Sequence, residues 1–129
     1  MELEFAVAGV PIPQGSMTSY GPGKMVHANE QLEPWRHAVG WTARKCRPGG
    51  WVQTGPFGVE VTFYFARPAS MAKRVTFPAQ KKNDIDKLGR AILDALAKII
   101  FENDGQVVDL VLRKRFGMPH ADIGVDHLL

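Results

Sequence analysis

The chain of 129 residues is 45% hydrophobic and carries a net charge of +3, from 16 Lys and Arg against 13 Asp and Glu, which suits one domain over residues 1–129 with its own core. Its apolar runs fall far short of a membrane span, and Met1–Phe5 lacks the basic start and apolar stretch of a signal peptide. A single cysteine, Cys46, can form neither an internal disulfide nor a zinc cluster, so an intracellular protein is expected.

Leu3, Phe5 and Val7 share one face and stop at Gly9 and Pro11, which predicts a first strand over residues 2–8. Residues 15–23, rich in Gly and Ser, predict a loop. From Pro34 to Cys46, the residues Trp35, Ala38, Val39, Thr42, Ala43 and Cys46 recur at helical spacing, with Pro34 tolerated in the first turn. Cys46 reads as a packed residue of that helix, and Pro48-Gly49-Gly50 ends it. Phe57, Val59, Val61, Phe63 and Phe65 alternate with Glu60, Thr62 and Tyr64, which predicts a central strand. Residues 67–80, with Pro68 and Pro78, hold no period and read as a long basic loop of the kind that serves function.

Leu88, Ile92, Ala95, Leu96 and Ile99 then form the apolar stripe of a helix over about 85–101. Gly89 inside it costs about 1 kcal/mol relative to Ala and points to a close packing contact. Residues 106–116 predict a strand, and a short last strand is expected over 123–127. The whole reads as a small α+β domain, two main helices packed on a mixed sheet.

The charges are unevenly placed. Arg67, Lys73, Arg74, Lys81 and Lys82 precede Asp84 and Asp86, and Arg113, Lys114 and Arg115 follow. Such clusters neutralise phosphates, although a charge run is also what a solvated face looks like. Asp84 and Asp86 cannot face one point inside a regular helix, where i and i+2 diverge. At its mouth they can, and the positive end of the helix dipole favours both ionised forms. Paired hard oxygens there suit Mg²⁺ or Mn²⁺, whereas helix capping accounts for one acid only. Asp104, in Glu102-Asn103-Asp104-Gly105-Gln106, offers a third carboxylate. Arg90 lies four residues from both Asp86 and Asp94. It either joins a salt-bridge ladder worth tenths of a kcal/mol or stabilises charge on a phosphate.

The order of basic loop, Asp84-Ile85-Asp86, helix with Asp94-Ala95-Leu96, then Asn103-Asp104-Gly105-Gln106-Val107-Val108 and strand, resembles the RusA family of Holliday-junction resolvases. The resemblance is good over 81–108, weaker over 11–20, and elsewhere only compatible. It implies a homodimeric endonuclease that uses Mg²⁺, with Mn²⁺ as a substitute, in a bacterial cell or a phage-infected host. Four-way DNA junctions would be its substrate and metal-activated water its nucleophile, leaving 5′-phosphate and 3′-hydroxyl ends. Carried over, Asp84, Asp86 and Asp104 match the family's acidic metal-binding residues, and Arg90 takes the place of its essential lysine. Lys87 stands where the family usually has Asn, so this chain keeps or adds positive charge at both departures. Arg67, Lys73, Arg74, Lys81, Lys82 and Lys87 are the expected DNA contacts.

No rival nucleophile is apparent, because Ser16, Ser19 and Ser70 lack a motif with a His. His27, His37, His120 and His127 are scattered and read as surface or packing residues, although His120-Ala121-Asp122 and Asp126-His127 could bind stray metal. Haloacid-dehalogenase phosphatases and nucleotide-sugar transferases also carry Asp-x-Asp, but after an apolar strand. Here Ala79-Gln80-Lys81-Lys82-Asn83 precedes it. The alternative from another class is a noncatalytic DNA-binding or assembly protein of the same fold, for which Trp35, Trp41, Trp51 and the basic loops would serve binding alone.

Overall fold

A computed structural model of the chain describes residues 2–15, 17–19, 25–27, 30–78 and 83–129, with the backbone alone for 17–19 and 25–27. Lys81 and Lys82 lie outside the described residues. The elements are β1 (Glu2–Ala8), β2 (Met17–Ser19), β3 (Met25–His27), α1 (Leu32–Cys46), β4 (Phe57–Phe65), α2 (Ile85–Leu96), a 3-10 turn (Asp104–Gln106), β5 (Val107–Phe116) and β6 (His120–His127).

Four strands form a mixed sheet in the order β1-β6-β4-β5. β6 runs antiparallel to both β1 and β4, whereas β4 and β5 are parallel and joined through α2. β4 is therefore interior, as its strict alternation predicts. β2, within residues 15–23 that were read as a loop, and β3, just after them, form a separate antiparallel pair. Three-residue strands are too short for alternation to register against a Gly- and Ser-rich background.

One sheet face is covered. Leu3, Phe5, Val7, Phe57, Val59, Val61, Phe63, Ala121, Ile123 and Val125 are buried beneath the helices. From the helix layer come Trp35, Val39 and Ala43 of α1 and Leu88, Ala91, Ile92 and Leu96 of α2. Each large side chain so buried contributes roughly 1.5–3 kcal/mol, and no charged residue is needed inside. The uncovered face carries the exposed alternate residues Glu2, Glu4, Glu60, Asp109, Asp122 and Asp126, so it is acidic except toward the end of β5, where Arg113 and Arg115 share it.

Two boundaries and the burial of Cys46 differ from the sequence reading. α2 ends at Leu96, because Ala97 is extended and Lys98 takes a positive φ of 71°. The turn that follows carries Ile100 and Phe101 into the core, which is why their apolar character mimics continued helix. β6 begins at His120, three residues early, since its pairing with β1 and β4 is set by partners distant in sequence. Cys46 is an exposed free thiol and not a packed residue, because the buried stripe of α1 ends at Ala43.

Candidate active site

Asp84 occupies the N-cap position of α2 in an extended conformation, φ −54° and ψ 130°, yet its side chain makes no capping hydrogen bond. The carboxylate is exposed, 3.8 Å from Lys87 Nζ. Asp86 is exposed in the first turn. Both acids therefore stand at the positive end of the helix dipole, and capping does not describe Asp84. Two bonds from elsewhere fix this corner. Gln14 N–H donates to the Lys87 carbonyl at 2.9 Å, and Lys114 Nζ donates to the Asn83 carbonyl at 3.2 Å.

Arg90 is exposed and makes no ion pair or hydrogen bond to the described residues. The salt-bridge ladder with Asp86 and Asp94, one of the two alternatives for Arg90, does not form, and Asp94 pairs instead with Arg36 of α1 at 3.6 Å. Arg36 also donates to Gln14 at 3.2 Å and pairs with Glu33.

Asp104 stands on a turn built by its neighbours. Asn103 Oδ1 accepts from Gly105 N–H at 2.9 Å, and Gln106 Oε1 accepts from the N–H groups of Glu102 and Asn103. Gln106 Nε2 donates to the carbonyls of Gln53 and Gly55, tying the turn to the segment before β4. A Cβ on Gly105 would lie 2.9 Å from Asn103 Oδ1 and press on the oxygen that caps the turn. Asn103 and Gln106 are thus scaffold, and Asp104 is left exposed. Sequence reasoning missed that division of labour, although Asn followed three residues later by Gln is a capping-box signature.

The structure does not bring the three acids together within one chain. β5 runs from Val107, just after Asp104, to Lys114, which touches Asn83. Seven residues of strand at about 3.3 Å each place Asp104 roughly 23 Å from the Asp84 corner. Among the described residues no group of three or more His, Cys, Asp or Glu could hold a metal ion.

The cations divide by use. Lys73 and Arg74 are exposed on the loop before the acids. Arg67 donates to the carbonyls of Ala72, Lys73 and Val75 and lies 4.7 Å from the Phe116 ring centroid, so it closes that loop upon itself. In the second cluster Arg113 pairs with Glu60, Lys114 holds Asn83, and Arg115 lies 5.3 Å from the Phe77 ring centroid. That cluster is more structural than its charge suggests. His120 stacks on Tyr64 and meets Asp122 at 3.2 Å, and His127 lies within 2.6 Å of the Thr54 carbonyl, so both have packing roles. Trp35 is core, Trp51 donates to the Ile100 carbonyl at 2.8 Å, and only Trp41 of the three tryptophans stands exposed.

These elements define a small mixed α+β domain that presents exposed acids at the mouth of its crossover helix, beside Lys87, and a further exposed acid on the turn before β5. The family described as Endodeoxyribonuclease RusA matches residues 8–126, and the chain belongs to that family. It is also similar to an uncharacterized protein, YqaN, of Bacillus subtilis (strain 168), at 29% identity over 123 residues, which cover 87% of this chain and 86% of YqaN. No helix among the described residues is long and apolar enough to cross a membrane.

Proposed function

We propose that the chain is a Mg²⁺-dependent endodeoxyribonuclease that resolves four-way junctions and related branched DNA by paired nicks, acting as a homodimer. The observation that carries this reading is the uncapped, exposed carboxylate of Asp84, 3.8 Å from Lys87 Nζ. An Asp at an N-cap ordinarily accepts a bond from the first turn of its helix. Asp84 makes none and stands exposed beside exposed Asp86. Hard oxygens from two carboxylates fit Mg²⁺ or Mn²⁺, whose remaining ligands are water and phosphate oxygens. When bound, the ion supplies an activated water and neutralises phosphate charge.

The chain supplies the rest. Asp84 and Asp86 hold the ion, and Arg90, one helical turn beyond Asp86, offers a planar fork to the phosphate. Lys73, Arg74 and Lys87, with Lys81 and Lys82, hold flanking phosphates, and Arg67 shapes their loop. The acidic open face of the sheet repels the duplex, so DNA approaches from the Asp84 end. A twofold partner whose α2 lies antiparallel would bring its own Asp104 to each pair, and symmetric nicking of a junction needs two such sites.

The test is cleavage of a labelled four-way junction with and without Mg²⁺, beside a linear duplex. Paired nicks at the branch that require Mg²⁺ are expected. Tight junction binding with no cleavage in Mg²⁺ or Mn²⁺ would favour the noncatalytic DNA-binding protein instead.

A further inference from the structure

Asn83 adopts the left-handed conformation, φ 58°, directly before Asp84. That region is unfavourable for residues other than glycine, and Asn is among those that tolerate it best. A single residue in such a conformation persists only where its surroundings hold it. What holds Asn83 comes from the sheet. Lys114, half-buried near the end of β5, donates from Nζ to the Asn83 carbonyl at 3.2 Å. The same turn delivers Asp84 in its extended conformation, with its carbonyl accepting from Leu88 N–H at 2.9 Å and its carboxylate off the helix end.

We propose that Lys114 is a positioning residue for the metal site: its ammonium locks the left-handed turn at Asn83 and so aims the Asp84 carboxylate outward. The inference rests on the metal-nuclease reading above. It assigns a role to a cation that charge counting would place among phosphate contacts. A lysine suits the task because a compact point donor on a flexible stem can meet one carbonyl oxygen. The bond also links the last residues of β5 to the mouth of α2, so the sheet takes part in locating the acids.

The experiment uses the full chain with a four-way junction and Mn²⁺ as the probe. Lys114→Met keeps the stem and removes the donor. It should weaken Mn²⁺ binding, read by calorimetry on the junction complex, by at least ~10-fold, the usual effect of losing a residue that orients a metal ligand. Junction affinity without metal should stay within about threefold, and Lys114→Arg, which can still donate, should recover most of the Mn²⁺ affinity. Asn83→Val leaves Lys114 intact but disfavours the left-handed turn, and it should reproduce the loss. Unchanged Mn²⁺ affinity in folded Lys114→Met or in Asn83→Val overturns the proposal. So does lost junction affinity with unchanged Mn²⁺ affinity, the mark of a phosphate contact. A wild-type chain that binds Mn²⁺ through Lys114-dependent geometry yet never cuts would overturn the nuclease reading alone. Absence of Mn²⁺ binding in the wild type would overturn both.

Discussion

Gly89 of α2 packs directly against Leu112 of β5: a Cβ built on Gly89 would overlap Leu112 Cδ1 and lie 3.2 Å from Cδ2 and 3.4 Å from Cγ. The missing side chain is what lets the crossover helix settle on its own edge strand. The same approach places Lys114, two residues beyond Leu112, within reach of Asn83. A packing detail in mid-helix therefore bears on the position of the acids.

Gly89→Ala should destabilise the domain despite a gain of up to ~1 kcal/mol in helix propensity, because overpacking costs ~1–3 kcal/mol. Urea unfolding of Gly89→Ala, Leu112→Ala and the double variant should give a coupling of at least ~0.5 kcal/mol. Simple additivity would mean that Leu112 is not why position 89 is glycine.

The asymmetry between what the sequence discloses and what it hides has a physical basis. Strand β4 and both helices were legible because one face of each is buried, and burial imposes a period; β5, at most half-buried, was legible from its β-branched run. The end of α2 was not, since Ile99, Ile100 and Phe101 stay apolar through a turn that tertiary packing stabilises. Asp84, Asp86 and Asp104 stood out by chemistry and motif. Their mutual placement did not, because it depends on which way β5 runs beside α2, a property of sheet topology. Arg113, Lys114 and Arg115 read as one patch because charge is visible in sequence and partners are not.

Asp86→Asn should abolish Mg²⁺-dependent cleavage while junction binding stays equal or tightens, since the change removes a ligand and also a repulsion between carboxylate and phosphate. As the side chain is exposed, stability should move by no more than ~0.5 kcal/mol. Gel shifts and cleavage on the same labelled junction check both. Substantial residual nicking would remove Asp86 from the metal site.

For Arg90 the structure separates two effects that the sequence leaves joined. With Asp94 paired to Arg36, Arg90→Ala should leave the melting temperature nearly unchanged. The single-turnover cleavage rate should nevertheless fall by ~10²-fold, the loss expected for one preorganised charge. Arg90→Lys should retain most of the rate. A normal rate in Arg90→Ala at saturating Mg²⁺ would leave Arg90 with no part in the chemistry.

Gln106→Ala removes the side chain that joins Glu102 and Asn103 to Gln53 and Gly55 through four hydrogen bonds. A loss of about 2 kcal/mol is expected, since each such bond contributes roughly 0.5–1.5 kcal/mol net. Asp104→Asn, by contrast, should leave thermal unfolding as it is and abolish cleavage. If instead Asp104→Asn lowers the melting temperature as far as Gln106→Ala does, Asp104 belongs to the scaffold.

The roughly 23 Å between Asp104 and the Asp84 corner in one chain makes the origin of the third acid an experimental question with two opposite answers. Asp86→Asn and Asp104→Asn chains, each inactive alone, can be mixed, unfolded and refolded to form hybrid dimers. If each site takes Asp84 and Asp86 from one subunit and Asp104 from the other, the hybrid contains one intact site and one site with both lesions. It should nick a junction on one strand only. If each site is built within a single chain, both sites of the hybrid carry a lesion and nothing is cut. Single-strand nicking that appears on mixing, at up to about a quarter of the wild-type level because half the refolded dimers are hybrids and each has one of its two sites intact, would establish the shared site. Complete inactivity despite hybrid dimers seen by mass spectrometry would reject it.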